Sequence, residues 1–132
     1  MVLTIDKSDK KDARKIDTGK AGEDIAAAFL KEKGYRIIDR NYRCPIGEID
    51  IVAKDKNELV FIEVKTRKSK ALGYPEQAVG VKKQRKMSQL ALWYLREKKL
   101  TNISARFDVV AIMMLLPAHE IRLIKNAFDF IS

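Results

Sequence analysis

Gly47-Glu48-Ile49-Asp50-Ile51-Val52-Ala53 and, a few residues on, Leu59-Val60-Phe61-Ile62-Glu63-Val64-Lys65 are two apolar runs that carry acids and a lysine at positions where a core would exclude them. β-Branched or aromatic residues recur through both, so each predicts a strand, over residues 48–54 and 58–66. Side chains alternate along a strand, which puts Glu48 and Asp50 on one face and Glu63 and Lys65 on one face of the next strand. Ile49, Ile51, Ile62 and Val64 then point the other way, into a core. Lys56-Asn57 can supply a tight hairpin turn that lays the two runs side by side and brings Asp50 near Glu63.

Carboxylates gathered on a mostly buried face repel one another and lose hydration, so they persist when protonated, ion-paired or bound to a cation. An all-oxygen donor set suits a hard divalent ion, Mg²⁺ or Mn²⁺. Such an ion beside a lysine suits phosphodiester hydrolysis, because the ion and the ammonium both offset charge developing on a phosphate. The competing reading of the same spacing is a surface face with cross-strand charge pairs, which an Asp followed later by Glu-x-Lys also satisfies.

The pattern Asp50, then Glu63-Val64-Lys65 on the following strand, resembles the PD-(D/E)xK signature of restriction-endonuclease-like nucleases, with Ile49 in the place of proline. More closely, Gly19-Lys20-Ala21-Gly22-Glu23, Gly47-Glu48-Ile49-Asp50, Phe61-Ile62-Glu63-Val64-Lys65-Thr66-Arg67 and Asn126-Ala127-Phe128 resemble the YraN family of small bacterial proteins. That family is similar in outline to archaeal Holliday-junction resolvases. The resemblance implies an α/β restriction-endonuclease-like fold, with a central mixed sheet flanked by helices, and a nuclease acting on branched DNA in repair or recombination. Carried over by position, it implies Asp50 and Glu63 as metal ligands, Lys65 as the catalytic lysine and Glu23 as a further acid, with Glu48 completing or orienting the shell of a Mg²⁺ or Mn²⁺ ion.

A chain of 132 residues is long enough for one domain with a real core. Its 27 Lys and Arg against 18 Asp and Glu give a formal net charge of +9, which favours a polyanionic partner, nucleic acid and DNA first. Arg67 and Lys68 directly after the second strand, and Lys82, Lys83 and Arg85 at the start of a helix over 81–98, are the candidate phosphate contacts. The alternative is a solvated charged helix end, since exposed lysines cost little when hydrated. A lone cysteine, Cys44, and a lone histidine, His119, exclude an internal disulfide, a multi-cysteine zinc site and a histidine triad. No apolar run approaches a membrane span and the start lacks a signal-peptide core, so a cytoplasmic protein without a membrane partner is expected.

Elsewhere the pattern predicts a flexible charged tail over 1–17, a first helix N-capped by Thr18 and ended by Gly34, and a strand over 35–42. It continues with a loop containing Gly73 and Pro75, a buried strand over 106–115, a short one over 120–124 and a terminal turn or short helix over 125–130. Met87, Leu90, Ala91, Tyr94 and Leu95 form the apolar stripe of the second helix, and Trp93 reads as packing. Asp108 reads either as a structural partner of Arg106 or as an outer-shell group, and is left out of the site. Three functional hypotheses follow: a metal-dependent DNA endonuclease, which as a resolvase would be a twofold homodimer; a non-catalytic nucleic-acid-binding or adaptor protein on the same scaffold; or a nuclease that cuts only with a helicase or other repair partner.

Overall fold

The computed structural model describes residues 7–68, 79–114 and 118–131, with side chains from residue 19 onward. The elements run α1 (Lys7–Glu32), β1 (Arg36–Cys44), β2 (Gly47–Asp55), β3 (Glu58–Arg67), α2 (Val81–Glu97), β4 (Ala105–Met114) and β5 (His119–Phe128). The strands form one mixed sheet in the order β1-β2-β3-β4-β5. All neighbours are antiparallel except β3 and β4, which are parallel and joined through α2. This is the expected α/β arrangement, helix, three-stranded meander, helix and two strands, consistent with the restriction-endonuclease-like fold.

Local chemistry accounts for the punctuation. Gly34, at φ +94°, ends α1 in the left-handed region, while its amide donates to the Lys31 carbonyl and the Tyr35 amide to that of Leu30. Those paired bonds close the last turn in the Schellman pattern that a glycine favours. Asp55 and Glu58 pair across the Lys56-Asn57 turn, with Lys56 at φ 58° as a tight hairpin requires.

The sheet is covered on both faces, so the single buried face expected of β2 is replaced by two. Ile51, Ala53, Val60, Ile62, Val110 and Ile112 pack under Ala26, Ala27 and Leu30 of α1. Ile49, Val52, Leu59, Phe61, Phe107, Val109 and Phe128 pack under Met87, Leu90, Ala91 and Tyr94 of α2, the stripe the helical spacing predicts. Ile49 and Ile51 therefore serve different cores, and β2 changes its facing around Asp50. Phe61 meets Tyr94 edge-on at 5.6 Å and Phe107 stacks on Phe128 at 4.8 Å, arrangements that suit the quadrupoles of aromatic rings.

Several boundaries differ from expectation. The helix predicted from Thr18 begins at Lys7, so residues 7–17, expected as tail, continue α1; their lysine, arginine and alanine content favours helix. The terminal turn or helix over 125–130 is instead largely strand, because β5 runs to Phe128 with Phe107 opposite it and a register shift between Phe107 and Val109 absorbs the irregularity. Trp93 is on the exposed side of α2 rather than in the packing. The predicted loop residues Gly73 and Pro75, and Leu115 of the predicted strand, lie outside the described residues.

At the hairpin end of the sheet Arg106 is a hub. Its guanidinium bonds Asp55 Oδ2 and Glu58 Oε1, each at 2.7 Å, and Asp108 Oδ1 at 2.9 Å. Asp108, fully buried, also accepts from the Tyr35 hydroxyl at 2.7 Å and the Asn126 amide at 2.9 Å. Asp108 is thus the structural partner of Arg106 that the sequence suggests. Arg106→Met should cost about 3 to 5 kcal/mol in urea unfolding, because it strands a buried carboxylate; a loss below about 1 kcal/mol would show that Tyr35 and Asn126 suffice for Asp108.

Candidate metal centre and basic cleft

The β2–β3 ladder ends at the Ile51↔Ile62 pair, although both strands continue beyond it. Past that point Asp50 Oδ2 accepts the Val64 amide at 2.8 Å, replacing a backbone carbonyl with a carboxylate. The acidic group accordingly forms where β2 and β3 stop pairing, with Asp50 bonded to β3 through the Val64 amide and Glu48 paired with Arg43 of the edge strand β1.

α1 delivers the third acid. Gly22 is buried against β3, and a Cβ there would collide with Thr66 Oγ1. The missing side chain lets the helix approach closely, and the next residue, Glu23, reaches the strand ends. Carboxylate oxygens of Glu23, Glu48 and Asp50 all lie within 4.8 Å of one another, and all three residues are half-buried. A group of oxygen donors at this spacing fits a hard divalent cation.

The charges of the trio are incompletely offset. Asp50 is pushed up to about 7, by burial foremost and then by the charge of Glu63, while the Val64 amide opposes the shift. Burial also raises Glu23, against a hydrogen bond with Asn41. Asn41 sits at φ 54°, a left-handed position in β1 that asparagine tolerates, and it is a neighbour of the site that the spacing of acids does not reveal. Glu48 Oε2 pairs with Arg43 Nε at 3.1 Å on the exposed side.

Glu63 stands differently. It is 7 % exposed, and its Oε1 receives two ammonium groups, Lys83 at 3.3 Å and Lys65 at 3.7 Å. The structure thus brings Glu23, Glu48 and Asp50 into one group and sets Glu63 beside it with Lys65. Lys83, expected on a phosphate, is held by a carboxylate. Lys82, Lys83 and Arg85 line a cleft of about 640 Å³ at the start of α2, with Gly80, Lys86 and Gln89. Gly80 caps this helix without a side-chain hydrogen bond and its first turn holds no acid, so the dipole and the lysines together make the cleft positive. Arg67 is half-buried, its Nε without a hydrogen-bond partner among the described residues, and Lys68 is exposed where β3 ends.

With this geometry in hand, comparison with known proteins identifies the chain's kind. The model of the uncharacterised protein family UPF0102 matches residues 22–112, and the chain belongs to that family. A UPF0102 protein of Geobacter sulfurreducens is 53 % identical over 112 residues, 84 % of this chain and 88 % of that protein. One of Syntrophus aciditrophicus is 51 % identical over 114 residues, 86 % of this chain and 90 % of that protein. One of Clostridium botulinum is 48 % identical over 116 residues, 86 % of this chain and 94 % of that protein. The YraN resemblance read from the motifs is therefore correct. No helix among the described residues is long and apolar enough to cross a membrane.

Two measurements check this construction. A carboxyl raised by folding keeps its proton longer in the native chain, so the contribution of Asp50 to stability falls as pH rises from 3.8 to about 7. Asp50→Asn, which keeps an acceptor for Val64, should stabilise the protein in chelator by about 2 to 4 kcal/mol above pH 7, the gain shrinking toward pH 4 in thermal unfolding. Gly22→Ala should cost about 1 to 3 kcal/mol by overpacking, and Thr66→Ala in the same chain should recover most of it if the Oγ1 collision is the cause.

Proposed function

We propose that the protein is a Mg²⁺- or Mn²⁺-dependent DNA endonuclease acting on branched DNA in repair or recombination. The observation that carries the reading is the convergence of Glu23, Glu48 and Asp50 within 4.8 Å, with Lys65 held beside the neighbouring Glu63. Buried carboxylates that are short of positive charge are costly to keep unless they bind a ligand. At the hairpin end of the same sheet, three acids share one arginine and need nothing further.

In this reading the trio holds the cation, and Glu63 adjoins it as a further carboxylate. The bound ion supplies Lewis-acid stabilisation of the phosphate and lowers the pKa of water. Lys65, on the face of β3 that carries Glu63, orients the attacking water and offsets charge on the scissile phosphate. Lys82, Arg85, Arg67 and Lys68 bind neighbouring phosphates, which makes affinity fall steeply with salt. A junction-cutting enzyme needs two such sites, so a twofold dimer belongs to the proposal.

One observation favours a second reading. Glu63 is already neutralised by Lys65 and Lys83, as it would be in a nucleic-acid-binding or adaptor protein whose carboxylates serve structure alone. Turnover separates the two. Labelled linear, single-stranded, flap and four-way-junction DNA, incubated with Mn²⁺ or Mg²⁺, should be cut by the parent and at least about 100-fold more slowly by Asp50→Asn and Lys65→Ala, with no cutting in chelator. Salt-sensitive binding that is equal in all three proteins, without cutting, would overturn the autonomous enzyme and leave the scaffold reading or a nuclease dependent on a helicase or other repair partner.

A further inference from the structure

The cations at the start of α2 are not equivalent. Lys82, Arg85 and Lys86 are exposed, whereas Lys83 is half-buried and turned onto Glu63 Oε1 at 3.3 Å, closer than Lys65 from the strand itself. The influence of its charge extends to Asp50, which it pulls toward the ionised form. Lys83 also lines the basic cleft, so one ammonium adjoins both the acidic group and the surface where phosphates would run. A helix N-terminus disfavours lysine, and the first turn of α2 carries no acid of its own to offset it. Glu63, supplied from β3, is the carboxylate that holds this lysine inward.

We infer that Lys83 is a positioning residue of the acidic site, which neutralises Glu63 and releases it in exchange for a divalent cation as its own ammonium passes to the phosphate of bound nucleic acid. The inference rests on the proposed metal-dependent function. A divalent ion beside Glu63 and an ammonium on the same oxygen repel each other strongly at this range in a partly buried site. Cation and ammonium therefore compete for Glu63, and a polyanion in the cleft resolves the competition by giving the ammonium a second anionic partner. The lysine would make cation binding and nucleic-acid binding mutually reinforcing, a coupling that must be reciprocal.

The prediction has a sign that a purely structural lysine does not share. Without DNA, Lys83→Gln should bind Mn²⁺ about three- to tenfold more tightly than the parent by calorimetry, because the competing charge is gone. Lys83→Arg should restore the parent's affinity, and Lys31→Gln, which removes an exposed charge of α1 outside the site and the cleft, should leave Mn²⁺ affinity as it was. Adding a non-cleavable phosphorothioate duplex should tighten Mn²⁺ binding in the parent and do so much less in Lys83→Gln. Unchanged or weaker Mn²⁺ binding by Lys83→Gln, with clear binding by the parent, would overturn the role of Lys83 while leaving the metal site standing. Absence of Mn²⁺ binding by the parent, or binding that Asp50→Asn does not diminish, would instead overturn the metal-dependent reading and this inference with it.

Discussion

The hydrogen bond from the Val64 amide to Asp50 Oδ2, 2.8 Å long, is the point on which the acidic end of the molecule turns. A strand interior normally satisfies its amides with carbonyls, and leaving one buried and unpaired is costly. Here a carboxylate does that work just where the β2–β3 ladder stops, at Ile51↔Ile62. The strands can part beyond that pair without stranding the amide, and the acid that makes the bond is the one that Glu23 and Glu48 approach. The same bond lowers the cost of ionising Asp50, though burial and Glu63 more than outweigh it.

Parting two central strands is tolerable only if the rest of the sheet is rigid. Two apolar cores provide that, one under each helix, with Ile51, Val52, Val60 and Ile62 fully buried in the strands that lead into the site. The Arg106 hub closes the opposite end, tying β2, β3 and β4 by charge-assisted bonds while Tyr35, just past the end of α1, reaches Asp108. Bidentate and networked arginine pairs of this kind are stronger than isolated surface bridges. Lys125 adds a weaker contact with Asp55 at 3.6 Å from the edge strand β5.

Much of this was legible in the chain because the deciding signals are local. The Lys56-Asn57 turn and the two apolar runs specify a hairpin and its approximate register, which suffices to put Asp50 beside Glu63. The stripe from Met87 to Leu95 specifies the core face of α2. What sequence could not give was the change of facing within β2: Ile49 and Ile51 look alike under strict alternation, and only packing against two helices separates them. Likewise Asn41 joins Glu23 through a left-handed backbone position that tertiary context imposes. The extent of β5 was missed because Lys125 and Asn126 interrupt the apolar pattern, whereas Asn126 has a structural task in donating its amide to Asp108. The start of α1 was missed for a related reason: charge alternation over 7–17 resembles a solvated tail, and helix propensity in such a segment is only a weak prior.

Like residues thus reach different ends at the two poles of one sheet. At the hairpin pole, acids outnumber arginine, yet every carboxylate of the hub has a short, charged partner. At the other pole the lysines gather on Glu63, Arg43 serves Glu48 from the solvent side, and among the described residues Asp50 is bonded by a backbone amide. A protein selected for stability alone would gain by replacing Asp50 with an uncharged acceptor, since a half-buried acid raised to about 7 opposes folding at neutral pH. The arrangement makes physical sense if the missing positive charge arrives from outside the chain, and the oxygen donors around Asp50, with a cationic cleft beside them, define what would be complementary: a hard cation and the polyanion it acts upon.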